Sequence, residues 1–158
     1  MTYQHGRQQF PSRGGVPPPR RGEMKQQPGL PEDYLKNGYF DENGNVLPEV
    51  IIAWPRDIAT KLANARPEMK SAQLRNFFGE ARRIEGQLSA GQDFAALQSR
   101  ILQLDAYVAN AVKKDNAPSL FKQFIEHNVK WARRDQKSFV KGFIPHFECV
   151  VAYFPKKY

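Results

Sequence analysis

The sequence has few of the residues that form covalent links or bind metals. The 158-residue chain has one cysteine, Cys149, and a single cysteine excludes a disulfide within the chain. Its three histidines, His5, His127 and His146, share no short ligand spacing with each other or with Cys149, so we predict no metal site and no cofactor. No apolar run approaches the about 18 residues of a membrane helix, and the N-terminus lacks the apolar core of a secretory signal. We therefore expect a cytoplasmic protein that does not associate with membranes.

Catalytic patterns are equally sparse. The sequence contains no glycine-rich phosphate loop of the G-x-x-x-x-G-K-[ST] type, which gives nucleotide hydrolysis no support. Glu80 and Glu85 lie among arginines, where exposed ion pairs are expected rather than an acid and base dyad. Cys149 and His146 are neighbours at helical spacing, but the apolar residues around Cys149 indicate a buried thiol. We predict a protein that is not an enzyme, and the alternative is a nuclease or hydrolase that uses His127 or His146.

The chain has an excess of positive charge, which favours anionic partners. Its net charge is +8 and its pI is about 9.7. Residues 1–31 hold five basic residues and one acidic residue, and residues 32–158 hold 19 basic and 15 acidic residues. The second part is only mildly basic for its size. If it binds RNA, its cations must lie together on one face.

The composition divides the chain into a tail and one domain. Residues 1–31 are rich in Pro, Gly, Gln and Arg and are predicted to be disordered. The Asn43-Gly44-Asn45 sequence predicts a turn, in either a short hairpin or a loop. We assign residues 1–45 to the tail and turn, and residues 46–158, which begin with Val46, to a helical domain.

Apolar spacing in residues 46–158 predicts an all-α bundle of four to five helices. The expected helices cover residues 49–65 with a kink or restart at Pro55, residues 71–88 with Ser71 as N-cap, a third helix capped by Asp93, residues 120–136 capped by Ser119, and a last helix from Ser138 that Gly142 and Pro145 bend.

The second of these helices carries two stripes at helical spacing. Its bulky residues predict a buried face and are Leu74, Phe77, Phe78, Ala81, Ile84 and Leu88. A second stripe is formed by Arg75, Gly79, Arg82 and Gly86, with Arg83 on the far polar face. A glycine inside a helix costs about 1 kcal/mol relative to alanine, so both glycines are expected to admit a close neighbour. That neighbour is either a phosphate chain or a packed helix.

The fourth helix also separates an apolar face from a basic one. The basic face is predicted to hold Lys122, Lys130, Arg133 and Lys137, and only Glu126 interrupts it. Nearly every phenylalanine falls on an apolar stripe, so Tyr153 and Tyr158 are the better candidates for an aromatic surface contact, and packing against a neighbour is the alternative for both.

The segment from Ser71 onward resembles the signature of the small helical subunit of type III-A CRISPR effector complexes, the Csm small subunit. The resemblance rests on a Ser-x-Gln-Leu-Arg start, an aromatic pair followed by a basic segment, and an aromatic last helix that runs to a basic end. In this sequence these are Ser71, Gln73, Leu74 and Arg75; Phe77, Phe78, Arg82, Arg83, Ile84 and Glu85; and residues 139–158. It covers roughly residues 46–158, and the family pattern has no counterpart to the proline-rich first 30 residues.

This resemblance implies a non-catalytic subunit of an antiviral ribonucleoprotein. In the family, several copies stack along the guide RNA and target RNA, beside a filament of backbone subunits that cleave the target. Because guide pairing supplies the sequence information, the small subunit is expected to contact phosphate and sugar rather than bases. The residues expected to bind RNA are Arg75, Arg82, Arg83, Lys122, Lys130, Arg133 and Lys137. Which basic helix faces RNA and which faces protein stays open, and the alternative is a helical adaptor that binds proteins only.

Overall fold

The protein is an all-α bundle, as the sequence predicts. A computed structural model describes residues 29–156, so the predicted disorder of residues 1–28 lies outside the described part. Within residues 29–156, the only extended pairing is one antiparallel bridge between Phe40 and Val46. The helices are α1 (Pro48–Ile51), α2 (Ala53–Asn64), α3 (Ser71–Ser89), α4 (Phe94–Lys113), α5 (Ser119–Ala132), a π-helical segment (Ser138–Phe143) and α6 (Ile144–Tyr153).

The first predicted helix is divided into α1 and α2. The chain breaks at Ile52, whose backbone angles are φ −116° and ψ −71°, and it restarts at Ala53. Pro55 therefore lies in the first turn of α2, where the missing N–H of a proline has no helical partner to lose. Of the kink and the restart left open, the chain restarts the helix, but the break lies at Ile52 and not at the predicted Pro55.

Two predicted N-caps and one helix end are wrong. Asp93 caps α4, since its side chain accepts the N–H of Ala95 at 3.4 Å. By contrast, Ser71 and Ser119 are the first helical residues of α3 and α5, and Lys70 and Pro118 occupy the cap positions. Lys70 and Pro118 both have extended backbone, with ψ of 141° and 155°. The two helices therefore begin at Ser71 and Ser119, one residue earlier than predicted.

Helix α5 ends at Ala132, four residues before the predicted end at Gln136. Asp135 stops the continuation because its carboxylate accepts the N–H of Ser138 at 2.8 Å and starts the next helical segment. Lys137 therefore does not extend the basic face of α5, and it lies at the entrance of the π-helical segment instead.

Phenylalanine rings from α5, α6 and the π-helical segment form the centre of the core. The Phe124 and Phe147 rings meet edge to face with centroids 5.3 Å apart, and Phe143 lies 5.7 Å from Phe147. Helix α4 packs against both α3 and α5, and α6 packs against α2 and α3. The predicted apolar stripe of α3 faces this core, with Leu74 and Ile84 buried.

A segment before α1 crosses the bundle and contributes to its core. We call residues 30–47 the strap. Tyr34, Leu35 and Tyr39 of the strap are at most 7% exposed. The sequence analysis placed the start of the folded domain at Val46, yet these three side chains come from before that residue. Irregular backbone in the strap, with positive φ at Leu35 and Gly38, leaves no helical period that would have revealed their burial.

The predicted Asn-Gly turn forms the tip of the strap. Gly44 has φ +79°, and Asp41 accepts the N–H groups of Asn43 and Asn45 through its carboxylate at 2.9 Å each. Of the two forms left open, the chain adopts the short hairpin, which the bridge between Phe40 and Val46 closes.

Candidate nucleic-acid interface

The arginine and glycine stripe of α3 lies on the outer surface of the bundle. Arg75, Arg82 and Gly86 are exposed and Gly79 is half-buried. A Cβ atom added at Gly79 or Gly86 would meet no atom of the described residues within 4 Å. Within residues 29–156, the glycines therefore do not serve helix packing, and the space above them is open to a binding partner.

Ion pairs along α3 neutralise part of this stripe. Arg82 bonds Glu85 at 2.7 Å, and Arg83 pairs with Glu80 one turn away. Such exposed pairs contribute between 0 and about 1 kcal/mol each, so both arginines remain free to exchange a carboxylate for a phosphate. No carboxylate in residues 29–156 forms an ion pair with Arg75, which makes it the least neutralised cation on the stripe.

Lys122 occupies a different environment from the other cations on α5. Its ammonium lies 3.6 Å from the Glu126 carboxylate. Asp105 of α4 has a carboxyl group whose pKa is raised, first by burial and then by the charge of Glu126, while Lys122 opposes the shift. Two carboxylates therefore surround Lys122, and their negative field disfavours an approaching phosphate.

The end of α5 gathers the remaining predicted cations. Lys130 and Arg133 are exposed, and the Arg133 carbonyl accepts a 2.8 Å hydrogen bond from Gln98 of α4, which fixes the end of the helix. Lys137 reaches the strap, where its ammonium donates to the Gly44 carbonyl at 3.1 Å and lies 4.5 Å from the centre of the Phe40 ring. All three residues thus lie within or just beyond the last turn of α5, and Lys137 lies outside the helix.

Arg134 belongs to the same surface and was missed by the sequence analysis. Its guanidinium lies 3.9 Å from the centre of the Trp131 ring, three residues earlier in the chain. The available signal was the run from Lys130 to Arg134, in which a tryptophan stands between basic residues. At helical spacing, Trp131 and Arg134 fall beside the predicted basic face of α5 and not on it, so Arg134 was not among the residues predicted to bind RNA.

The expected surface tyrosines have a smaller role. Tyr153 is 37% exposed, and the Arg56 guanidinium lies 5.3 Å from the centre of its ring. Tyr158 lies outside the described residues.

A chain of buried hydrogen bonds occupies His146, one of the two candidate catalytic histidines. Its Nδ1 donates to the Val50 carbonyl at 2.6 Å, so its Nε2 must accept the Tyr34 hydroxyl proton, also at 2.6 Å. The Tyr34 oxygen in turn accepts from the side-chain Nδ2 of Asn128 at 2.8 Å, and Tyr39 donates to the side-chain Oδ1 of Asn128 at 2.8 Å. With both ring nitrogens used and the side chain fully buried, His146 connects the strap to α5 and α6 and is closed to substrate.

Burial also sets the protonation state of His146. Loss of water lowers its pKa to about 4, and the hydrogen bond to the Val50 carbonyl opposes the shift. The imidazole is therefore neutral at pH 7. The thiol of Cys149 has a raised pKa, because of burial and then the charge of Glu148, so a Cys149–His146 nucleophile pair would have neither a thiolate nor an accessible base.

His127 is exposed on α5, and its Nδ1 lies 2.9 Å from the Gln123 carbonyl of the same helix. A backbone carbonyl, not a carboxylate, holds the ring, which differs from the acid-oriented imidazole of a general base. No group of three or more His, Cys, Asp or Glu side chains in residues 29–156 is arranged to hold a metal ion.

No helix in the described part of the chain is both long enough and apolar enough to cross a membrane.

Comparison with known proteins identifies the family of the chain. No curated protein and no solved structure matches it. The model of one protein family, Csm2 Type III-A, matches residues 49–157. This match covers most of the chain and includes the stripe on α3, the cations at the end of α5 and the aromatic last helix. The chain therefore belongs to the Csm2 Type III-A family, the small subunits of type III-A CRISPR effector complexes.

Proposed function

We propose that this subunit holds guide and target RNA through phosphate-backbone contacts and is not a catalyst. The observation that carries the proposal is the cluster of exposed cations at the end of α5, which comprises Lys130, Arg133, Arg134 and Lys137. The one acid in this stretch, Asp135, has a carboxylate oxygen engaged by the Ser138 N–H. The net positive field at this end is therefore stronger than on α3, where two arginines are paired.

The uneven distribution of charge along the chain supports a surface rich in positive charge. Residues 32–57, which include most of the strap and α1, hold six acidic and two basic residues. Residues 58–158 hold 17 basic and nine acidic residues. The mild average charge of the domain thus combines an acidic segment with a basic one, and the basic segment contains the cations of both α3 and α5.

We assign the end of α5 as the principal RNA surface and the α3 stripe as a second one. The α3 stripe provides Arg75 and Arg82 with open glycines beside them, so a phosphate chain has close access to the backbone there, and Arg83 adds a cation on the far polar face. Lys122 contributes least, because Glu126 and Asp105 are its neighbours.

A protein-binding role also has a specific observation in its favour. Helix α4 exposes Leu102 and Tyr107, which are 45% and 50% exposed, and Tyr107 borders a groove with Phe77 of α3. Exposed apolar side chains of this size favour contact with a protein. We assign this face to contacts with backbone subunits or other copies. Its groove is also lined by Glu80, the partner of Arg83, so it adjoins the basic surface of α3.

The salt dependence of RNA affinity tests the proposal. If the contacts go to phosphates of single-stranded RNA, the logarithm of the affinity should fall linearly with the logarithm of salt concentration, with a slope of about −0.7 per phosphate neutralised. Scrambled sequences of equal length should bind alike, since no base edges are read. Purification of the tagged protein from its native cell should also return guide-sized RNA. Recovery of proteins alone, with an affinity indifferent to salt, would support the adaptor instead.

A further inference from the structure

The strap holds an indole and a guanidinium in a layered arrangement at the end of α5. Gly38 packs directly against the Trp131 ring, and a Cβ atom built at Gly38 would lie only 2.9 Å from the nearest ring carbon. The Arg134 guanidinium lies 3.9 Å from the centre of that ring. Trp131 is half-buried while Arg134 is exposed, so the strap fixes the indole and the indole orients the guanidinium.

The guanidinium is available to a further ligand. No carboxylate in the described part of the chain forms an ion pair with Arg134. An arginine plane stacked on an aromatic ring can accept a second planar ring on its outer face, and nucleobases are such rings. The guanidinium fork also fits a phosphate, but it is the plane of the group, and not its charge, that offers a nucleobase a face on which to stack.

Two lysines stand where they can take the phosphates of the same strand. Lys137 is held over the Phe40 ring by its contact with the strap, and Lys130 precedes Trp131 on α5. Both are exposed. A planar stacking group flanked by point charges is the arrangement by which single-stranded nucleic acid is bound without sequence preference.

We propose that the Trp131–Arg134 pair is a stacking site for an unpaired nucleobase of single-stranded RNA, flanked by phosphate contacts from Lys130 and Lys137. This inference rests on the proposed RNA-binding function and adds to it a base contact that reads no sequence. It also assigns a role to the strap, whose Gly38 supports the indole from within the fold.

The test compares two labelled 12-mers with the same charge, measured by fluorescence anisotropy with the full chain. One is a mixed-sequence oligoribonucleotide and the other is an abasic ribose-phosphate chain. The wild type should bind the base-containing strand about fivefold or more tightly than the abasic strand. Arg134→Lys, which keeps the charge and loses the plane, should remove most of this preference, and Trp131→Phe, which keeps a ring, should retain it. Arg56→Lys, which changes an arginine that lies over the Tyr153 ring outside the proposed surface, is the matched control and should behave as the wild type.

The outcomes separate the stacking site from RNA binding in general. Equal wild-type affinity for both strands would overturn the stacking site and leave the phosphate contacts standing. Failure to bind either strand at low salt would overturn the proposed function itself. If Arg134→Lys weakened both strands equally, Arg134 would be a phosphate contact only, and the inference would be wrong. An unchanged preference in Arg134→Lys, with reduced binding to the other purified subunits of the complex, would assign the surface to a protein.

Discussion

At the scale of single residues, three glycines inside helices have opposite surroundings. A Cβ atom at Gly142 would lie 2.4 Å from the Tyr39 ring, so this glycine admits the strap into the core. The sequence analysis attributed a bend in the last helix to Gly142, and the close ring contact is a more direct reason for a glycine there. Gly79 and Gly86, by contrast, face open space.

These surroundings predict stability changes of opposite sign. Gly142→Ala should lower the free energy of unfolding by about 1 to 3 kcal/mol, because its methyl group overpacks the Tyr39 ring. Gly79→Ala and Gly86→Ala should each raise it by up to about 1 kcal/mol, because a helical alanine replaces an uncrowded glycine. Urea titration of the purified variants measures all three. Destabilisation by Gly79→Ala would indicate that α3 packs against something in the isolated protein, such as a second copy.

His146 predicts a loss of stability in acid. Its pKa is about 4 in the folded protein, whereas an exposed histidine has an ordinary pKa of 6.5, so the unfolded chain binds the proton first. The stabilisation is fully present above pH 6.5 and is lost as the pH falls towards 4, with a total of about 3 kcal/mol. Asp105, whose carboxyl pKa is raised, acts weakly in the opposite direction.

Denaturant unfolding at a series of pH values from about 7.5 to about 4.5, which spans most of this titration, checks the prediction. In His146→Gln the decline over this range should be much shallower, while His127→Gln, which changes an exposed histidine on α5, should follow the wild type. An equally steep decline in His146→Gln would place the sensitive group elsewhere.

At the scale of elements, α3 and α5 present two basic surfaces with different degrees of neutralisation. Arg82 and Arg83 of α3 pair with glutamates of their own helix, whereas Arg134 and Lys137 at the end of α5 lie over aromatic rings. We therefore predict that the end of α5 contributes more to RNA affinity than the α3 surface does.

Paired charge reversals test the ranking. Lys130→Glu with Arg133→Glu should weaken RNA binding more than Arg75→Glu with Arg82→Glu, and each should reduce the salt slope by about one unit for every phosphate that is no longer bound. Both double variants should remain folded, because all four side chains are exposed. Lys113→Glu with Lys114→Glu reverses the same charge at the end of α4 and is the control.

Circular dichroism melting should accompany the affinity measurements. If the α3 variant weakened RNA binding more than the α5 variant, the order of the two surfaces would be reversed. If the control weakened it as much as either, the attraction would depend on total charge and not on a site.

At the scale of the whole molecule, the strap decides where the folded domain begins. Tyr34, Leu35 and Tyr39 are buried between helices, and the two tyrosine hydroxyl groups bond Asn128 and His146. The basic tail before the strap includes Arg7, Arg13, Arg20, Arg21 and Lys25, with Glu23 as its one acidic residue. We therefore expect the strap to contribute to the stability of the fold and the tail to contribute to RNA affinity.

Two truncations separate them. Removal of residues 1–28 should leave the melting temperature nearly unchanged and lower non-specific RNA affinity several-fold at low salt, since the tail has no predicted core but much of the charge. Removal of residues 1–45 should destabilise the protein by more than about 3 kcal/mol, because it empties the sites of two buried tyrosines and a leucine. Thermal melting of both forms measures the difference. A large loss of stability after the first truncation would show that the tail is part of the fold.

Local sequence patterns are sufficient to predict the helices and the positions of their apolar faces. The stripes of α3, α4 and α5 follow the 3.6-residue period, and burial of Leu74, Ile101 and Phe124 follows directly from it. The family signature on α3 and the concentration of cations near Lys130 are also local patterns. Such patterns are readable because neighbouring residues on one helix keep a fixed geometry.

The remaining features depend on contacts between distant residues and required the three-dimensional fold. Tyr34 bonds His146, which lies 112 residues later in the sequence, and Gly38 packs against Trp131. The strap is irregular, so no periodic pattern in its sequence predicts either contact. The end of α5 depends on one carboxylate, Asp135, bonding Ser138 where the helical pattern would continue. The open space above Gly79 and the exposure of Arg134 beside the Trp131 ring are likewise set by packing. The same residue types could form a helix whose surface faces a neighbouring helix or the solvent, and local sequence preferences do not distinguish the two.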